Sequence, residues 1–191
     1  YAIMLSEGDG IEQNKREAVH YYRLAADNGY VKAMHDYAVM LFEGDGIDVD
    51  KKLAAGYFKL AADKGDRDSM QYYAKMLFEG DEIKTDKEEA ARYYKLAADK
   101  GDGEAMFYYA KMLLEGDGIK ADKKEAAHYY KLSADQGNVK AMLKYGYMLY
   151  NGDGIKINKK EACRYYKLAA DKGDEDGILL YANMFSERKD M

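Results

Sequence analysis

Asp102-Gly-Glu-Ala-Met-Phe-Tyr-Tyr-Ala-Lys-Met-Leu-Leu-Glu-Gly-Asp-Gly-Ile-Lys-Ala-Asp-Lys-Lys-Glu-Ala-Ala-His-Tyr-Tyr-Lys-Leu-Ser-Ala-Asp-Gln-Gly137 is a 36-residue unit, and the rest of the chain repeats it. Gly8, Gly44, Gly80, Gly116 and Gly152 stand 36 apart, as do Gly29, Gly65, Gly101, Gly137 and Gly173. A period of this length without insertions marks stacked repeats, each burying its apolar face against its neighbours. The chain therefore reads as a single array over 1–191: a partial first repeat at 1–29, full repeats at 30–65, 66–101, 102–137 and 138–173, a half repeat at 174–187 and a tail at 188–191.

Each repeat encodes two helices. In the quoted unit Met106, Tyr109, Ala110, Met112 and Leu113 recur at helical spacing. Asp102 is placed to cap the first helix, as are Asp66, Asn138 and Asp174, with Tyr30 the exception. Gly116 suits the left-handed residue after a helix end. In the Asp117-Gly118-Ile119 link the isoleucine is expected to tuck under the helices, with Ile11, Ile47, Ile83 and Ile155 at the same place. The second helix opens on a capping box, Asp122 with Glu125, Asp86 with Glu89, Asn14 with Glu17 and Asn158 with Glu161. Asp50 is followed by Leu53 instead, which predicts a looser start for that helix. Ala126, Tyr129, Tyr130, Leu132 and Ala134 form the second apolar face. The small residues Ala38, Ala74, Ala110 and Gly146 predict close helix crossings. The fold class is all-α, an α-solenoid of six first helices, the first truncated, and five second helices.

One position breaks the glycine pattern. Glu82 stands where Gly10, Gly46, Gly118 and Gly154 stand in the other links. Either Glu82 takes a left-handed conformation, at a cost of about 1–2 kcal/mol, or that link has another shape.

The composition narrows the function classes. The chain has 191 residues, 48% of them hydrophobic, with no proline, no tryptophan, 20 tyrosines and 11 methionines. The net charge is −5 with both signs interspersed, which disfavours nucleic acid as a partner. No apolar run approaches the roughly 20 residues that span a bilayer, so no direct membrane insertion is expected. Cys163 is the only cysteine, which excludes an internal disulfide and favours a reducing compartment such as the cytoplasm. No signal peptide is seen, but the chain opens at Tyr1 in mid-pattern, which reads as an excised fragment whose upstream part could have held a targeting segment.

The letters quoted above, Ala-Met-x-x-Tyr-Ala-x-Met-Leu-x-x-Gly-Asp-Gly-Ile followed by Asp-x-x-Glu-Ala-x-x-Tyr-Tyr-Lys-x-Ala-Ala-Asp-x-Gly, resemble the Sel1-like repeat, a relative of the tetratricopeptide repeat. The resemblance covers residues 1–187. It implies a right-handed superhelix of antiparallel helix pairs, with a concave face built by first helices. It also implies a non-catalytic scaffold or adaptor for a protein or peptide, with no cofactor and no metal. On that geometry the partner-binding candidates are His35, Gln71, Phe107 and Leu143 in one row, continued by Leu179. Val39, Lys75, Lys111 and Tyr147 form the next, with Ile3 and Asn183 at its ends. Phe42, Phe78, Leu114 and Tyr150 make a third row, flanked by Ser6 and Ser186, that reads equally as packing. Apolar and aromatic anchors around two lysines suit an extended peptide or a helix with an acidic group. The alternatives are a regulatory or targeting segment of a larger enzyme and a self-associating array joined end to end through Leu179, Leu180, Tyr181 and Phe185.

Other chemistry fits poorly. Ser186-Glu-Arg-Lys189 matches the Ser-x-x-Lys motif of acyl enzymes, and some cysteine-rich relatives have been linked to β-lactams. The companion motifs and the paired cysteines are missing here. Asp45, Asp48 and Asp50 lack the terminal bidentate glutamate of a calcium loop. His20, His35 and His128 are scattered, and the tyrosine pairs at 21–22, 93–94, 129–130 and 165–166 read as core.

Overall fold

The computed structural model describes the backbone of residues 1–189 and the side chains of residues 1–184. The Ser-x-x-Lys match, Phe185, Ser186 and the last two tail residues fall outside the side chains described. The described chain is all helical. It forms two compact units, Tyr1–Ala97 and Ala98–Met191. The N-terminal unit holds α1 (Ala2–Glu7), α2 (Lys15–Asp27), α3 (Val31–Glu43), α4 (Lys51–Asp63), α5 (Arg67–Glu79) and most of α6 (Lys87–Asp99). The C-terminal unit holds α7 (Gly103–Glu115), α8 (Lys123–Asp135), α9 (Val139–Asn151), α10 (Lys159–Asp171) and α11 (Glu175–Lys189). Odd-numbered helices are the first helices of the repeats. The last of them runs two residues past the boundary at 187.

Helix starts follow the capping pattern. Asp66 and Asp102 accept the backbone N–H of Ser69 and Ala105 at 2.7 Å, and Asp122 that of Glu125 at 2.9 Å. Tyr30 makes no such bond. Asp50 still accepts from the Leu53 N–H at 2.8 Å, so α4 keeps that half of the box and lacks only the return bond a glutamate would make. The five link isoleucines are half-buried.

The links settle the Glu82 question. Gly10, Gly46, Gly118 and Gly154 have φ between 73 and 76°, and Glu82 keeps the same left-handed backbone at φ 60°. Glycine serves a second need there. A Cβ on Gly46 would lie 2.8 Å from the backbone of Lys15, and one on Gly154 2.7 Å from that of Lys123. These two links thus press on the start of the preceding repeat's second helix.

Tyrosine ties the helices together. Tyr37–Tyr57, Tyr109–Tyr129 and Tyr145–Tyr165 each meet edge to face at 4.9 Å, and Tyr73–Tyr93 at 5.0 Å. Each pair joins the two helices of one repeat. The second tyrosine then donates its hydroxyl to the repeat before: Tyr57 to Asp27 and Tyr165 to Asp135 at 2.7 Å, Tyr129 to Asp99 at 3.2 Å and Tyr93 to Asp63 at 2.5 Å. Lysines at the helix starts reach the other way, Lys15 to Asp45 at 2.6 Å, Lys51 to Asp81 at 2.8 Å and Lys123 to Asp153 at 2.7 Å. Ala38, Ala74 and Ala110 are fully buried, and a Cβ on Gly146 would meet the Tyr166 ring at 2.6 Å.

Candidate functional site

In the N-terminal unit the predicted row is largely occupied by packing. His35 on α3 is only 8% exposed. Its Nδ1 shares a 2.9 Å hydrogen bond with Oγ of Ser69 on α5, and Asp66 Oδ1 lies 3.5 Å from the same nitrogen. Rings close the rest of its surroundings. Phe58 and Tyr72 stack at 4.8 Å with 8° between planes, and His35 lies 5.9 Å from each. Phe42 of the third row joins the same cluster, 6.2 Å from Tyr72, with the Lys51 ammonium 5.2 Å over its ring. Val39, Gln71 and Lys75 are half-buried.

Serine, histidine and aspartate in contact invite a catalytic reading, which the geometry rejects. A nucleophilic relay needs serine and aspartate at opposite ring nitrogens. Here both face Nδ1, and Ser69 is fully buried. The cluster is a satisfied polar contact between neighbouring first helices. Sequence reasoning missed it, although one signal was available. His35 is the only histidine of its row, and Ser69, one repeat on, is the only serine among Ala33, Ala105 and Ala141.

The C-terminal unit is different. Phe107 on α7, Leu143 and Tyr147 on α9, and Leu179 and Leu180 on α11 line an open groove of about 430 Å³, with Lys140, Lys144 and Asp176 on its rim. Phe107 is 8% exposed and forms part of the floor, its ring 5.7 Å from that of Tyr130. Tyr147 and Leu179 stand out at 58% and 59% exposed. A second hollow of about 250 Å³ adjoins the groove and shares Tyr147 and Leu180 with it. Three predicted residues, Phe107, Leu143 and Tyr147, are therefore brought together. Lys111 is half-buried and outside the lining. Lys140 and Lys144 were not singled out from the sequence, yet they supply the positive rim.

The five-fold frame has a match. The model of the Sel1 repeat fits residues 1–30, 31–66, 67–102, 103–138 and 139–174. The chain belongs to the Sel1-repeat family. Among solved Sel1-repeat structures, a protective antigen of uropathogenic Escherichia coli with an SLR fold superposes with a TM-score of 0.93 at 26% identity, over 97% of this chain and 40% of that one. The chain thus spans well under half of the antigen's length. A Sel1 repeat protein from Oxalobacter formigenes gives a TM-score of 0.80 at 29% identity, over 92% of this chain and 72% of that one. Cysteine rich protein B of Helicobacter pylori shares the fold alone, with a TM-score of 0.56 at 23% identity over 69% of this chain and 95% of that one. No curated protein matches the sequence. The family assignment and the α-solenoid of helix pairs agree with the sequence reading. Sel1-repeat proteins generally act as protein-interaction scaffolds and are typically non-catalytic. Among the described residues, no helix is long and apolar enough to cross a membrane. Nor do three His, Cys, Asp or Glu side chains gather as a metal site among them.

Proposed function

We propose that this chain is a protein-interaction scaffold that captures a peptide segment of a partner in the groove of its C-terminal unit. The observation that carries this reading is the convergence of Phe107, Leu143, Tyr147, Leu179 and Leu180 from three first helices on one open apolar hollow. Large apolar side chains left exposed beside such a hollow are the usual anchors of a recognition surface. The net charge of −5 argues for a protein or peptide over nucleic acid. His35, Val39, Gln71 and Lys75 of the N-terminal unit are not among the residues that line the groove.

The test is selection of peptides from a random displayed library on the immobilised chain, followed by titration against variants. Tyr147→Ala and Leu143→Glu should each weaken selected peptides by about tenfold or more, with melting temperatures little changed. Binding that is indifferent to both variants overturns the groove as the site.

A further inference from the structure

The repeat at 30–65 departs from its sisters on the solvent face of its second helix. The third and sixth residues of α2, α6, α8 and α10 are Glu17 and His20, Glu89 and Arg92, Glu125 and His128, Glu161 and Arg164. In α4 they are Leu53 and Gly56. Where glutamate and arginine occur together they shield the neighbouring tyrosine. Arg92 pairs with Glu89 at 3.2 Å and lies 4.1 Å over the Tyr93 ring, and Arg164 pairs with Glu161 at 2.7 Å and lies 4.5 Å over Tyr165. α4 has no such cover. Leu53 is 43% exposed and Leu60 is 50% exposed, with Gly56 between them on the same face. Leu24 and Leu96 hold the place of Leu60 in α2 and α6, but each follows a glutamate and a basic residue on its own face.

Among the described residues no contact calls for this glycine. A Cβ on Gly56 would meet no atom within 4 Å. A glycine in mid-helix is unfavourable unless something must approach the backbone closely. Here the only thing that can approach lies outside the unit.

We propose that α4 is a self-association face, on which a second copy of this chain packs antiparallel about a two-fold axis near Gly56. Leu53 and Leu60 stand three residues before and four after the glycine, so the stripe reads nearly alike in both directions. A two-fold contact requires a surface complementary to itself, and this one is. Each Leu53 meets Leu60 of the other copy, and the two glycines meet at the crossing, where no Cβ separates the backbones. The charges agree. Lys52 at the start of the helix is exposed and forms no ion pair among the described residues. The Asp63 carboxylate at the other end is half exposed although it bonds Lys59 and Tyr93. An antiparallel pair sets Lys52 beside Asp63 of the second copy at both ends, whereas a parallel pair sets like against like. An unrelated apolar helix would cover the leucines without answering both charges.

Sedimentation of the native chain from micromolar to near-millimolar concentration should show a shift toward the dimer mass. The double variant Leu53→Glu, Gly56→Arg installs the residues of the sister repeats and should melt no lower than the native chain. It should associate at least tenfold more weakly, as should Leu60→Lys. Leu179→Lys, in the groove of the other unit, should dimerise like the native chain. A native chain that stays monomeric throughout overturns the proposal. So does a dimer that survives in both α4 variants, or one lost only in Leu179→Lys, which would assign association to α11.

Discussion

The first-helix face is filled around Tyr72 in the N-terminal unit and open beside Lys144 in the C-terminal unit, and these two residues hold one repeated position, at which Tyr108 between them keeps the ring. Tyr72 lies flat on Phe58 at 4.8 Å and closes its part of the face beside His35. Two repeats on, the same place is Lys144, an exposed side chain on the groove rim. One repeat further it is Leu180, in the groove wall. A flat ring covers its neighbours, while a flexible ammonium stem reaches for water and leaves the hollow beneath it. The repeats thus share a frame and differ in one layer of side chains above it.

That comparison can be broken at its frame first. Gly46→Ala and Gly154→Ala, one in each unit, combine a left-handed backbone with a Cβ under 3 Å from a helix start. Each should cost about 2–4 kcal/mol by thermal or urea unfolding. A large difference between them would show that the frame itself differs. Tyr72→Ala comes next. It removes a half-buried stacked ring and should cost about 2 kcal/mol, roughly half the loss expected for a fully buried aromatic. Lys144→Tyr is the converse. If the new ring stacks on Tyr130 as Tyr72 does on Phe58, stability should rise by about 0.5–1.5 kcal/mol and selected peptides should lose their site. Retained peptide binding would mean that Lys144 does not keep the groove open.

Smaller effects sharpen the picture. Glu82→Gly relieves a left-handed glutamate at φ 60° and should stabilise by about 0.5–1 kcal/mol, the strain less the added freedom of the unfolded chain. The alkaline limb should serve both units alike. Burial, then its bond to Asp27, pushes Tyr57 up to about 12 from 10.0. Burial and Asp135 likewise raise Tyr165. A phenol that loses its proton later folded than unfolded supports the fold below the unfolded value and ceases to as pH rises through the folded one. Stability should therefore decline from pH 10 toward about 12, and Tyr57→Phe should make the decline shallower. An unaltered alkaline titration in that variant would remove Tyr57 from the account.

Much of this was legible in the letters. The period, the capping residues and the glycines define two helices and a link wherever they recur, because backbone geometry imposes them locally. At Glu82 alignment with its sisters left two link shapes open, and the φ of 60° selects the left-handed one. The state of the binding rows was harder to read. Whether His35 or Phe107 faces out depends on what another helix supplies, Ser69 and Tyr72 of the next repeat in one case and Tyr130 of the same repeat's second helix in the other. Such partners come from other helices, so no single helical period shows them. Tyr130 makes the same point from the core. Its hydroxyl is buried with no hydrogen-bond partner among the described residues, and Phe58 fills the same place without one. The spacing marks both as core but cannot say that one oxygen is idle.

The tyrosine–aspartate and lysine–aspartate bonds have a wider consequence. Tyr57 to Asp27, Tyr165 to Asp135, Lys15 to Asp45 and Lys123 to Asp153 all span 30 residues. Every bond is addressed to the adjacent copy and to no particular copy. Excising or duplicating a whole 36-residue stretch inside either unit would rejoin each donor to an equivalent acceptor. Gene rearrangement can therefore lengthen or shorten such a chain in whole steps, while any change that is not a multiple of the period severs the bonds on both sides of the junction.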